Sequence, residues 1–262
     1  MGLRVHKAHA YGNDFLFVPL AEGGADRGAL ARVLCDRHRG VGADGLIFCQ
    51  LHDASATMRL FNADGSPSEL SGNGLRCLAA LVARTQNLQP GARVTVTTEA
   101  GLKTLELLTR HGGRFTFRAS MGAAEDVRQV TIPVGGMSMT ATVLRVGNPQ
   151  CVVLGPLPAA GRFSELAPAL STHPMFPNGT NVEFADVETP GRVRMLIWER
   201  GVGPTTSSGT GACAAGVAAA AHGGAERDVE VMAPGGTQRV EWRSDGIYLT
   251  GWAEVVLEGE WL

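Results

Sequence analysis

Six landmarks of this 262-residue sequence recur at a nearly constant shift. Met58 and Met195, Asn62 and Glu199, and Ser71 and Ser208 are each 137 positions apart. Gly12 and Gly147, Val94 and Val229, and Gly101 and Gly236 are each 135 apart. A shift held within two residues over this length reads as an internal duplication, which predicts two domains of like topology. The join is expected between residues 121 and 133, giving domains at about 1–122 and 123–262. No shorter period marks a solenoid.

The centre of each half is a tetrapeptide, Ser71-Gly72-Asn73-Gly74 and Ser208-Gly209-Thr210-Gly211. Each opens an alanine-rich apolar run, so each reads as a capped helix start. Helix starts present unpaired backbone N–H groups and the positive end of the dipole, a ready site for a carboxylate or phosphate. Most such ends are only caps; two matched ones suggest a shared task.

The surrounding pattern predicts strands over residues 3–10 and 15–18, broken at Tyr11-Gly12-Asn13-Asp14, then a helix over 26–38. Short strands follow over 46–48 and 58–61, then the Ser71 helix to about residue 84. Strands over 94–98, 102–108 and 114–119 close the first half. The second half repeats strands at 143–146, 195–198 and 229–233, a further strand after the Gly235-Gly236 turn, one at 247–249, a helical segment at 162–170 and the helix after Ser208.

Composition excludes several classes. With 44% hydrophobic and 18% charged residues the chain can bury a large core, and a net charge of −2 without a basic run argues against nucleic acid. No apolar stretch is long enough for a membrane span and the N-terminus lacks a signal-peptide pattern. Cys35, Cys49, Cys77, Cys151 and Cys213 are odd in number without metal-ligand spacing, so they read as buried reduced thiols of a cytoplasmic protein. His9 and His38 beside glycine loops, and Asp14 and Asp44 after glycine-rich turns, read first as local structural residues. Glu69, two before Ser71, reads as a surface charge. Gly40-Val41-Gly42 lacks the context of a dinucleotide fingerprint.

Two facing helix ends suit inversion of a carbon α to a carboxylate. One face needs a base, the other an acid, and helix N–H groups hold the carboxylate. On this point the sequence resembles the diaminopimelate epimerase family. The resemblance rests on Lys7 through Phe15, Arg39-Gly40-Val41-Gly42-Ala43-Asp44-Gly45, Phe61-Asn62-Ala63-Asp64-Gly65-Ser66, Gly72-Asn73-Gly74, Gly147-Asn148-Pro149, Thr180-Asn181-Val182, Glu199-Arg200-Gly201 and Gly209-Thr210-Gly211-Ala212-Cys213-Ala214. It implies an α+β fold of two similar domains, each a mostly antiparallel sheet around a central helix. It also implies that the last strand, about residues 253–262, returns to the first domain. The implied activity interconverts LL- and meso-diaminopimelate on the route to lysine, without cofactor or metal, commonly as a homodimer. Asn13, Asn62, Asn148, Asn181 and Arg200 match substrate-holding positions; Gly72, Asn73, Gly209 and Thr210 match those whose N–H groups take the α-carboxylate.

The base positions depart from the family pattern. Cysteines stand there in the family; this chain has Ser71 and Ser208. A thiol at a helix start reaches the thiolate near neutrality, whereas a serine hydroxyl needs an adjacent base. The histidine expected beside the first base is Gln150, and Pro204 replaces a glutamate, while Glu199, the aide to the second base, is kept. Three readings stay open at this point: serines exchanged for the thiols of an epimerase, a lineage catalysing this or a related isomerisation or dehydration with other groups, and a protein that binds without turnover. Cys77 and Cys213 lie too far along their helices to stand in.

Overall fold

The computed structural model describes residues 2–262 other than 25 and 70. Sheet dominates. The first strands are β1 (Leu3–Ala10), β2 (Asn13–Pro19), β3 (Gly45–Leu51), β4 (Ser55–Asn62), β5 (Pro67–Ser68), β6 (Arg93–Thr98), β7 (Gly101–His111) and β8 (Arg114–Gly122). There follow β9 (Glu125–Val134), β10 (Met137–Val146), β11 (Asn148–Leu154), β12 (Asn181–Thr189), β13 (Arg192–Glu199), β14 (Gly203–Thr205), β15 (Asp228–Ala233), β16 (Gly236–Arg243) and β17 (Gly246–Trp261). The α-helices are α1 (Arg27–Cys35), α2 (Gly72–Thr85), α3 (Ala160–Ser171) and α4 (Gly209–His222). The chain forms two compact units, residues 1–119 with 251–262, and residues 120–250.

In the first unit eight strands close on themselves in the order β1, β2, β3, β4, β6, β7, β8, β17 and back to β1. Two neighbouring pairs in this ring, β2–β3 and β4–β6, are parallel. Parallel neighbours need a crossover, and the two crossovers carry α1 and α2. α1 is capped by Asp26, whose side chain accepts from the Ala29 N–H, and it packs on β3 and β4 around Leu34, Leu46 and Phe48. α2 is different: every residue from Asn73 to Ala83 is buried. A helix buried on all faces belongs inside a core. It packs on β1, β2, β4, β6 and β7, which places it within the ring.

The second unit repeats this logic. Its strands run β9, β10, β11, β12, β13, β15, β16 and the first residues of β17. Again two pairs, β11–β12 and β13–β15, are parallel, and α3 and α4 are their crossovers. α4 packs on β10 through β13, β15 and β16. Its alanines and glycines allow this close approach: a Cβ on Gly216 would lie 2.9 Å from Val240 Cγ1.

The predicted elements are present, and most are longer than the apolar pattern indicated. Five strands went unpredicted, of which β5 and β14 are only two and three residues long. β9 lies where a join was expected, and it pairs with β10 from Glu125 to Val134. β11 and β12 carry Asn148, Gln150, Asn181 and Glu183, polar residues that interrupt the apolar runs used to read strands.

Candidate active site

In the first unit Ser71 caps α2. Its backbone is extended and its Oγ accepts from the Gly74 N–H at 3.1 Å. Beside this end the Asn73 amide donates to Asn13 Oδ1 at 3.2 Å, and Asn73 Oδ1 accepts from buried Arg76 at 3.1 Å. Asn13 in turn donates to Asp44 Oδ2 at 2.7 Å. Asn13 and Asn73 therefore form one chain of amides at the α2 N-terminus. Asn62 ends β4, exposed, with its amide on Ser66 Oγ at 2.9 Å.

A charged knot fixes this corner. Asp14 accepts from Arg37 at 2.7 and 3.2 Å and pairs with Lys7 Nζ at 2.9 Å. The Asp44 N–H donates to Asp14 Oδ1 at 3.1 Å, and the Asp14 N–H donates to Asp44 Oδ2 at 3.0 Å. The two aspartates thus cross-link the starts of the parallel strands β2 and β3 rather than forming local turn bonds. Burial pushes the Asp14 carboxyl up, but the hydrogen bonds and charges of Arg37 and Lys7 outweigh it and hold its pKa below the ordinary value. His9 accepts from the Gly12 N–H and lies edge-on to Trp252, His38 sits in the turn capped by Asp36, and Glu69 is exposed.

The second unit has the matching cap. Ser208 Oγ accepts from the Gly211 N–H at 3.2 Å. The strand registers bring the other predicted residues to this helix. Gln150 pairs with Asn181 in the parallel β11–β12 ladder, and Val182 pairs with Trp198 in β12–β13. Because side chains alternate, Gln150, Asn181 and Glu199 share the inner face, beside α4. Gln150 donates to Asn148 Oδ1 at 2.6 Å, while its own Oε1 is buried with no partner among the described residues. Asn181 Oδ1 accepts from the Arg200 N–H at 2.9 Å, fixing the turn after β13. The exposed Arg200 side chain donates to the Asn178 carbonyl at 2.9 Å and borders a cavity of about 600 Å³. Glu199 Oε1 accepts from Thr205 at 2.7 Å; burial nevertheless raises its pKa above the ordinary value, against the pull of that bond.

Two features were not anticipated. Asp14, Asp44, Lys7 and Arg37 act together as the support of Asn13. Glu183, on the same inner face as Asn181, is fully buried. Its sequence signal was present: it falls at the repeat position of Ile47, a charge where the other half has a core residue. A separate cavity of about 730 Å³ lies at the other end of α2, lined by Leu81, Arg84 and strand residues, away from Ser71.

The five cysteines are buried, and none forms a disulfide among the described residues. Burial pushes the thiols of Cys35, Cys49 and Cys151 up to about 12, and that of Cys77 higher still. None of these four supplies a thiolate near neutrality, and Cys213 is buried in α4 without solvent exposure.

Several solved structures share this fold. A phenazine biosynthesis protein of the PhzF family from Bacillus anthracis matches with a TM-score of 0.72 and 17% identity, over 100% of this chain and 99% of that one. A hydroxyproline epimerase from Agrobacterium vitis matches at 0.69 and 18%, over 98% and 90%. At such identities the likeness defines the fold. Sequence narrows it further. The family model for diaminopimelate epimerase matches residues 5–127 and 142–256. A diaminopimelate epimerase of Desulforudis audaxviator is 43% identical over 98% of each chain, and one of Synechococcus elongatus 38% identical over 99% of this chain and 98% of that one. A chloroplastic one of Oryza sativa is 38% identical over 97% of this chain and 78% of its own length. The chain belongs to the diaminopimelate epimerase family.

Proposed function

We propose that the protein is a cofactor-independent isomerase that epimerises LL- to meso-diaminopimelate in lysine biosynthesis. On this reading it is built of two similar domains, residues 1–122 and 123–262, with the strand at about 253–262 belonging to the first. Ser71 and Ser208 take the two base positions, with Gln150 and Glu199 as their partners. Asn13, Asn62, Asn148, Asn181 and Arg200 hold the substrate, Arg200 by a bidentate grip on a carboxylate. Gly72, Asn73, Gly209 and Thr210 offer backbone N–H groups to the α-carboxylate. The observation that carries the reading is family membership over nearly the whole chain.

The chemistry follows from the helix ends. A carboxylate held at a helix N-terminus delocalises charge that develops when the α-proton leaves. The two faces are unequal. Glu199 is a raised carboxyl, suited to exchange protons nearer neutrality, whereas Gln150 does not titrate. Both base positions carry a serine hydroxyl, a far weaker acid than a thiol, which favours a second reading: binding without turnover, or a different isomerisation or dehydration of a related acid. Five buried thiols, none of them in a disulfide among the described residues, suit a reducing cytoplasmic compartment. A homodimer, implied by the family resemblance, completes the proposal and is tested by light scattering.

Incubation with LL-diaminopimelate in heavy water tests the reaction. Deuterium at the α-carbon and meso product are expected; their absence overturns the epimerase reading. Calorimetry then separates the alternatives, since binding without deuteration is the mark of a non-catalytic member.

A further inference from the structure

Glu183 is a carboxyl that the fold does not require. It is fully buried on β12, and among the described residues neither oxygen has a hydrogen-bond partner. Buried acids are normally paired or bonded. Its position beside α4 is fixed by the glycine it touches. A Cβ built on Gly211 would lie 2.7 Å from Glu183 Oε1 and 3.2 Å from Ser208 Oγ. Both oxygens therefore crowd one point on the first turn of α4. The ladders pair Glu183 with Ile197 and place Glu199 two residues along on the same face, within diagonal reach across neighbouring strands.

The first unit shows what this place holds when only packing is at stake. Its β2–β3 register pairs Phe15 with Gly45, as β11–β12 pairs Gln150 with Asn181. Two residues on stand Ile47 and Glu183. A Cβ on Gly74 would meet Ile47 Cδ1 at 3.1 Å and Phe15 Cε1 at 3.4 Å. Two apolar side chains under α2 are thus matched by an amide and an acid under α4. Steric demand is met by either set, so the acid answers to a different demand.

We propose that Glu183 is a positioning residue for the second base position: a neutral carboxylic acid behind Ser208 and Gly211 that forms, with Glu199, a two-carboxyl pair carrying a single charge. The inference rests on the reading of position 208 as a base position. Two carboxyls sharing one low-dielectric interior do not both ionise readily. Burial raises both, and the charge of Glu199 raises Glu183 further. On β11 and α4 the other ionisable groups are Cys151, itself raised by burial and then by Glu183, and Cys213 and His222, while Asp186, Glu188, Arg192 and Arg194 of β12 and β13 alternate onto the opposite face. Glu199 stays the charged member. When it takes a proton from the residue-208 side the pair becomes neutral, and when it returns that proton the single charge is restored; no second buried charge forms in either direction.

Carbon-13 NMR of the full-length, glutamate-labelled protein tests this without substrate. A glutamate carboxyl that remains protonated at neutral pH is expected, lost in E183Q. In E199Q the Glu183 midpoint should fall, because the repelling charge is gone. A Glu183 signal that titrates in the ordinary carboxylate range, or one that E199Q leaves in place, overturns the proposal. The pH profile of α-deuteration is the second readout: E183Q should lower the rate about 10-fold or more and move the profile, with calorimetric affinity retained. An unmoved profile also overturns it. E183I installs the residue that the first unit has here and controls for packing; it should stay folded and lose the protonated signal. If the wild type itself shows no deuteration, the reaction reading fails and the NMR titration alone decides on the pair.

Discussion

Replacing Asp14 by asparagine should cost stability in a pH-dependent way. Asp14 is 8% exposed and binds Arg37, Lys7 and the Asp44 N–H. Hydrogen bonds to charged groups contribute about 1.5–3 kcal/mol each when well buried. Here Lys7 is mostly covered but Arg37 is half exposed and keeps Asp44 at 2.8 Å, so solvent and the remaining partner reduce the loss. The expected net cost of D14N is about 2 kcal/mol near neutral pH. The sign with pH follows from the lowered carboxyl. A depressed folded-state pKa contributes stability above the unfolded value near 3.8, lost as pH falls through the folded value. Urea denaturation of wild type and D14N at about pH 7 and about pH 3 measures the gap. It should be full at the higher pH and shrink at the lower. A gap of equal size at both would refute the ionic account and leave side-chain shape as the cause.

Three further outcomes are expected. S71C with S208C should raise α-deuteration of diaminopimelate by about 10²-fold or more, since a helix start favours the thiolate; an inert double variant would implicate Gln150 or Pro204. G211A should lose about 1–3 kcal/mol in denaturant, because its Cβ meets the Glu183 carboxyl and Ser208, while G74A, facing the flexible end of Ile47, should lose less. A thiol reagent at mildly alkaline pH should label none of the five cysteines until the protein unfolds, and prompt labelling of one would contradict its burial.

The parts legible in the sequence were local ones. Ser71 and Ser208 announce their helices because capping chemistry lies within four residues. The glycine turns and the apolar repeats fixed most strands for the same reason. β11 and β12 were hidden by the residues that matter at the site: Asn148, Gln150, Asn181 and Glu183 break the apolar alternation. The partnership of β8 with β17 depends on contacts between the middle and the end of the chain, which no local pattern records. Glu183 went unread because only comparison of the two halves, where it falls opposite the core residue Ile47, marks it as buried. The Asp14 knot failed in the other direction, since a local turn reading was sufficient for the sequence and the true partners lie 7 to 31 residues away.

The strand that completes the first unit's ring follows the whole of the second unit in the chain. Residues 251–262 belong with residues 1–119, and their Leu257–Trp261 stretch pairs with Leu3–Lys7. During synthesis the N-terminal unit therefore waits with the edges of β1 and β8 unpaired while some 130 intervening residues emerge. Unpaired edges are templates for other chains. Loss of residues 251–262 would thus injure the beginning of the protein, leaving nascent or shortened chains as the species most in need of a chaperone.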